Sequence, residues 1–192
     1  MAFGFPVSLE VAGRRCVVFG AGPLAQDRAA ALLDAGAVVT VIARPHEDGD
    51  LAGAFLAVAA SGDAVETARI YAEAEREGVL LNAVDDPAHC HFAVPAVLRR
   101  GDLLVAVSTG GRAPGYAGRV RDELARTVGI EHGTLLDLIA GVRAELPAQW
   151  AKKWRAALDY DLIGLVRAGR TGEAGTLLRA ALADADHKEA VA

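Results

Sequence analysis

The sequence predicts an α/β protein, a largely parallel sheet wrapped by helices with an all-helical region after it. Three observations lead there. Over the first two-thirds of the 192 residues, short β-branched runs alternate with longer stretches of helical periodicity, the pattern of strand–helix–strand crossovers. The first of those runs, Cys16-Val17-Val18-Phe19, enters a glycine turn that opens a helix. After Pro114 the strand signal stops, and four amphipathic stretches follow.

The elements follow in chain order. Leu24 to Leu33 has apolar residues at helical spacing and ends at Asp34-Ala35-Gly36, where glycine suits the position after a helix. Val38 to Ile42 is a second strand and Phe55 to Ala60 a third apolar run. Asp63 to Glu77 is a helix with Asp63 as candidate N-cap, and Val79 to Val84 is a fourth strand. Pro95 to Arg100 reads as helical, since proline is tolerated in a first turn, and Leu103 to Val107 is a fifth strand. Helices are then expected over Gly115–Val128, Leu135–Leu146, Trp150–Ala168 and Thr171–Ala183, broken by Gly129, Pro147 and Gly169-Arg170. The tail after Asp184 is expected to fray. These readings divide the chain into an α/β domain over 1–112 and a helical region over 113–192.

One connection is unusually short. Twelve residues, Ala43 to Ala54, separate the second strand from the next apolar run. A dinucleotide-binding half normally places a helix, a strand and a further crossover there. Twelve extended residues reach roughly 40 Å, and returning past one strand needs about 20–25 Å. A direct connection is therefore feasible but leaves no room for a third strand. The expected fold is a Rossmann-like parallel sheet with a trimmed third-strand region, in which Val38–Ile42 is an edge.

Composition limits the function classes. The chain is 53% hydrophobic and 23% charged, which suits a well-packed globule rather than a disordered chain. A net charge of -5 argues against an extended nucleic-acid surface, and no apolar run approaches a bilayer span. The first six residues lack the basic and long apolar regions of a secretory signal. Two cysteines, Cys16 and Cys90, read as free thiols, so a cytoplasmic protein is expected.

The turn Gly20-Ala21-Gly22-Pro23-Leu24-Ala25 carries the first chemistry. A strand feeding Gly-x-Gly-x-x-Ala into a helix brings backbone close to a pyrophosphate and points helix N–H groups at its charge. Gly20 permits the tight turn, Gly22 the close approach, and Ala25 the packing of helix on strand. Arg44, followed by Pro45, closes the second strand where an acidic residue would bind ribose hydroxyls. An arginine there either receives a 2′-phosphate or is a solvated loop cation. Asp85 and Asp86 lie at the end of the fourth strand, where ligands of parallel sheets collect. Asp85 is either a proton acceptor or the cap of the next turn. Ser108-Thr109-Gly110-Gly111 with Arg112 is either an anion site or an ordinary strand-to-helix turn. His89-Cys90-His91 lacks a second ligand pair at recognised spacing, so structural or solvent-facing roles are expected and no metal site.

These pieces in this order resemble the precorrin-2 dehydrogenase/sirohydrochlorin ferrochelatase module of siroheme synthases. The resemblance runs over most of residues 3 to 126. It rests on the short strand Phe5-Pro6-Val7-Ser8-Leu9, on Val17-Val18-Phe19-Gly20-Ala21-Gly22, and on Phe55 to Ala60. Most specific are Leu81-Asn82-Ala83-Val84-Asp85-Asp86-Pro87 with Phe92 and Pro95, and Val105 to Gly111 followed by Pro114. The segment Ala117 to Leu124 continues it.

The resemblance implies NAD-dependent oxidation of precorrin-2 to sirohydrochlorin, and in bifunctional members insertion of Fe2+ as substrate ion. It puts the essential aspartate at Asp85. NAD contacts fall on Gly20, Gly22, Pro23 and Leu24 with Arg44 and Pro45, and Ser108, Thr109, Gly110, Gly111 and Arg112 face a tetrapyrrole. The helical remainder corresponds to a dimerisation region, so a homodimer is expected; the stripe Leu135, Leu138, Ile139, Val142 would form its interface or pack within the chain.

Three departures stand out: the missing third strand and helix, Ala113 where serine is usual, and no uroporphyrinogen methyltransferase domain after the helices. Precorrin-2 is then expected from another protein. The rival readings are a chelatase-deficient member and a non-catalytic dinucleotide-sensing or assembly module.

Overall fold

The computed structural model describes residues 3–145, 154–158 and 161–189. The chain divides into two compact units, one of Met1–Pro95 with Ser108–Ala113, the other of Ala96–Val107 with Pro114–Ala192.

The first unit is a four-stranded parallel sheet of β1 (Arg15–Phe19), β2 (Val38–Ile42), β3 (Leu56–Ala59) and β4 (Leu80–Ala83), in the order β2-β1-β3-β4. The central strands β1 and β3 are buried on both faces, which is why they read as continuous apolar runs rather than alternating ones. Helix α1 (Pro23–Asp34) packs Ala25 and Ala29 against Cys16, Val18, Leu56 and Val58 on one face. Helix α2 (Ala64–Glu77) packs Ile70 and Ala74 against Val17, Phe19, Ala57 and Leu81 on the other. Asp63 caps α2 by accepting from the N–H groups of Val65 and Glu66 at 2.8 and 3.1 Å, and Gly78 closes it in the left-handed region at φ 68°.

The trimmed connection is as expected: β2 is the sheet edge, with Val38 and Val41 half exposed, and no strand lies between Ile42 and Leu56. The substitute is a loop that drives Leu51, fully buried, into the core on the α2 face. Residues 5–9, expected as a strand, form none. Pro6 has no N–H to donate, and Phe5 and Val7 stand exposed.

Pro95 to Arg100 is not helical. It forms β5 (Ala96–Arg100), antiparallel to β6 (Leu103–Val107), with the pairs Ala96↔Val107 and Arg100↔Leu103. The fifth strand is therefore half of a separate hairpin rather than part of the parallel sheet. Proline before the run suits a strand start as well as a helix start, and the two-residue turn Gly101-Asp102, with Gly101 at φ 59°, decides it.

The rest of the second unit is helical: α3 (Pro114–Leu124), α4 (Ile130–Ala144), α5 (Trp154–Ala157), α6 (Leu162–Arg167) and α7 (Thr171–Glu189). The hairpin is tied in by Arg100, whose guanidinium donates to the carbonyls of Val128 and Ala125 at 2.9 and 3.4 Å. Gly133 lets α4 approach it, since a Cβ there would meet the Arg100 carbonyl at 2.5 Å. Helix α7 continues to Glu189, past the point where fraying was expected. Leu146, Pro147 and Trp150 lie outside the described residues. The stripe Leu135, Leu138, Ile139, Val142 packs within the chain, against Leu162, Val166, Ala174, Leu178 and Leu182.

Candidate functional site

The glycine turn leaves β1 and starts α1. Gly20 sits at φ 124°, and a Cβ on it would come 2.7 Å from the Ala60 carbonyl oxygen, so the fold itself requires glycine. Gly22 is different: its φ of -75° suits any residue, and a Cβ there would meet nothing within 4 Å. The chain packing does not require glycine at 22, whereas a ligand approaching the backbone would. Gly22 is also the N-cap of α1 and has no side chain to cap it, while Pro23 has no N–H. The N–H groups of Leu24 and Ala25 have no intrahelical partner, the arrangement that receives an anion at a helix start. This cradle fits a pyrophosphate.

A cleft of about 370 Å³ opens beside it, lined by Gly20 and Ala21, by Arg44 and Pro45 from the end of β2, and by Asp63, Glu66 and Arg69 from α2. Gly20, Arg44 and Pro45 therefore converge, and Gly22, Pro23 and Leu24 adjoin them along the chain. Asp85 and Ser108 to Arg112 do not line this cleft.

The cleft's outer wall is the loop that replaces the third strand. Glu73, buried in α2, accepts from the N–H groups of Gly49 and Leu51 at 2.9 and 3.1 Å and from His46 Nε2. Burial pushes its carboxyl up, but the hydrogen bonds from His46, Leu51 and Gly49 together outweigh that and hold it below the usual carboxylate range. Asp50 grips Arg44 with both oxygens, at 2.7 and 3.0 Å, and accepts from the Glu47 N–H at 2.9 Å. The Arg44 hydrogen bond holds the Asp50 carboxyl below its ordinary value. Sequence reasoning missed both carboxylates. Glu73 carried a signal, a charge on the same helical stripe as Thr67, Ile70 and Ala74; Asp50 carried none, because its pairing arises in an irregular loop.

Asp85 follows β4 at φ 61°, one of two described non-glycine residues with positive φ, and is exposed. Its carboxylate makes no hydrogen bond or ion pair among the described residues, so it caps nothing. The capping role belongs to its neighbour: Asp86 takes the His89 N–H on its carbonyl, and His89 Nδ1 lies 2.6 Å from its carboxylate, around the 3₁₀ turn Pro87–His89.

The segment after Asp85 is bound back onto β4. The Cys90 sulfur accepts from the Ala83 N–H at 3.1 Å and donates to the Ala83 carbonyl at 3.0 Å. His91 Nδ1 accepts from the Leu81 N–H at 2.9 Å, and Asn82 Nδ2 donates to the Phe92 carbonyl at 3.0 Å. His89 and His91 flank the Tyr71 ring, edge-on and stacked. Burial raises the Cys90 thiol above its ordinary value, which keeps it protonated as a hydrogen-bonding group. The His89-Cys90-His91 triplet thus acts as a clamp that fixes the backbone under Asp85.

Ser108 to Ala113 belongs to the same unit as Asp85. The Ser108 hydroxyl accepts from the Gly110 N–H and the Thr109 hydroxyl from the Ala113 N–H, both at 3.1 Å. Each hydroxyl hydrogen is left to donate elsewhere. Gly110 and Gly111 lie at φ 62° and 79°, and Arg112 is exposed. Hydroxyls and a guanidinium on a tight turn suit carboxylate recognition.

Comparisons with known proteins bear on the family and the fold. A family model for NAD(P)-binding matches residues 7–96, and one for the sirohaem biosynthesis protein central region matches residues 100–127. The siroheme synthase of Azotobacter vinelandii is 33% identical over 95% of this chain, and that of Methylococcus capsulatus 32% identical over 90%. The chain spans less than half of those relatives, 45% and 42% of their lengths. Among solved structures, the precorrin-2 dehydrogenase SirC superposes with a TM-score of 0.68 at 18% identity, over 91% of this chain and 98% of that one.

Proposed function

This chain belongs to the siroheme synthase family, with that family's NAD(P)-binding and central segments, and from that premise we propose that it oxidises precorrin-2 to sirohydrochlorin with NAD+. The observation that carries the reading is Asp85, an exposed carboxylate without a partner among the described residues, in a left-handed conformation at the C-terminal end of β4, in the same unit as the glycine turn. Strained non-glycine backbone of this kind clusters at functional sites.

The oxidation removes two electrons with one hydrogen as hydride and releases a second hydrogen as a proton. NAD+ supplies the hydride acceptor when bound. Gly20, Gly22 and the first turn of α1 would hold its pyrophosphate, Pro23 and Leu24 would border it, and Arg44 and Pro45 would wall the adenosine end. Asp85 receives the proton. The Ser108 and Thr109 hydroxyls, the Gly111 N–H and Arg112 engage the tetrapyrrole's carboxylates. With Fe2+ as a further substrate, the same carboxylate would receive the pyrrole protons released on chelation.

Incubating the protein with precorrin-2 and NAD+ while recording NADH and sirohydrochlorin absorbance tests the reading. Stoichiometric appearance of both is expected. Folded protein that binds NAD+ but forms no NADH would identify a dinucleotide-sensing module instead. Adding Fe2+ to sirohydrochlorin tests chelation separately.

A homodimer is part of this proposal, although the α4 stripe does not supply its interface. The outer face of the β5–β6 hairpin does: Val97 and Leu104 remain 43% and 46% exposed. Sizing chromatography is expected to give twice the chain mass; a monomer would sink this part.

A further inference from the structure

In dinucleotide folds the residue ending the second strand meets the adenosine ribose: an acid takes the 2′-hydroxyl, an arginine a 2′-phosphate. Arg44 holds that position and lines the cleft beside Gly20 and Ala21. Both of its terminal nitrogens, however, are already engaged. One terminal nitrogen donates to Asp50 Oδ2 at 3.0 Å and to the Pro45 carbonyl at 2.9 Å, the other to Asp50 Oδ1 at 2.7 Å, and Glu47 lies 3.7 Å away.

Asp50 is not a casual surface partner. Its side chain is only 11% exposed, Oδ2 also accepts from the Glu47 N–H, and its carbonyl is held by Arg15 at 3.0 Å. A two-point pair of this geometry is among the stronger charge-assisted contacts. Two further carboxylates, Asp63 and Glu66, line the same cleft against a single other cation, Arg69. A 2′-phosphate would bring about two negative charges to this wall. It could take the paired edge of Arg44, with both terminal nitrogens, only by displacing a carboxylate that the loop holds in place.

We propose that Asp50 is the cofactor-specificity residue of this chain: by occupying both terminal nitrogens of Arg44 it withholds the guanidinium from a 2′-phosphate and directs the cleft to NAD(H) over NADP(H). The device belongs to the loop that replaces the third strand, so the trimming that removes part of the adenosine wall also supplies the discriminating carboxylate. The proposal rests on the reading of the glycine turn as a dinucleotide cradle.

Fluorescence titration of NADH and NADPH into the purified full chain tests it. Wild-type protein should bind NADH at least about tenfold more tightly than NADPH. Asp50→Asn, which keeps the shape but not the charge, should shift the ratio toward NADPH by about tenfold or more, and adding Arg44→Gln should reverse the shift. Arg44→Gln alone leaves Asp50 its bond to the Glu47 N–H, so it serves if Asp50→Asn folds poorly. It removes one positive charge from the wall and should weaken NADH and NADPH by similar factors, whereas a loss for NADPH more than about tenfold beyond that for NADH would mean that Arg44 already serves the phosphate and would overturn the proposal. An unchanged ratio in folded Asp50→Asn would overturn it too while leaving the cradle intact. Failure of wild-type protein to bind either dinucleotide would remove the cradle reading itself, and this proposal with it.

Discussion

Two glycines two residues apart do different work, and Asp85 combines strain with exposure. Gly20 is demanded by packing, so Gly20→Ala should cost about 3 kcal/mol in urea unfolding, from the left-handed φ and the contact with the Ala60 carbonyl. Gly22 has open space above it, so Gly22→Ala should unfold as wild type yet weaken NADH binding about tenfold or more. Equal losses of stability in both variants would contradict this division. Asp85 holds its φ of 61° with no side-chain bond in return among the described residues. Asp85→Gly should therefore keep or raise the melting temperature while turnover falls by about 10²–10⁴-fold, with NAD+ affinity retained. Wild-type rates in that variant would refute the catalytic assignment.

At the scale of elements, the loop from Ala43 to Phe55 stands in for a strand and a helix. Its order depends on one buried carboxylate, since Glu73 satisfies two loop N–H groups and His46 while Leu51 fills the core beneath. Glu73→Ala leaves the Leu51 N–H and the His46 ring buried and unpaired, and is expected to cost about 3 kcal/mol. Amide exchange at Gly49 and Leu51 should accelerate more than exchange in β1 or β3; uniform acceleration would mean the loop is not a separate unit of stability. The clamp after β4 works in the same way. Cys90, His91 and Asn82 replace strand pairing along the exposed edge of β4 and hold the peptide that carries Asp85.

At the scale of the whole molecule, carboxylates held below their ordinary range set the response to acid. Glu73 and Asp50 are the buried members, through the hydrogen bonds described. Glu145 and Glu173 are lowered by Arg179 and Arg170 but lie on the surface, where such pairs contribute little. A depressed folded value means the stabilisation is fully present above the unfolded value of about 4 and is lost as pH falls through the folded one. Thermal melts should therefore be level on approach to pH 5 from neutrality and drop below about pH 4.5, with the drop reduced in Glu73→Gln. An equal drop in that variant would place the acid sensitivity elsewhere.

Much of this was legible in the sequence by itself, because local chemistry decides it. The apolar runs of β1 and β3, the glycine turn, the Asp63 cap and the missing third strand each follow from residue type and spacing over a few positions. Asp85 at the end of a strand was legible too, though not its left-handed backbone. Only the tertiary structure decided the rest. Pro95 to Arg100 became a strand because it had Leu103 to Val107 to pair with, a choice that periodicity over five residues cannot make. The α4 stripe turned inward because α6 and α7 were there to receive it. Arg44 lost its freedom to Asp50 across an irregular loop, where no repeat or spacing rule relates the two side chains. Pairings of that kind depend on where the folded chain brings distant atoms, and a sequence pattern carries no record of them.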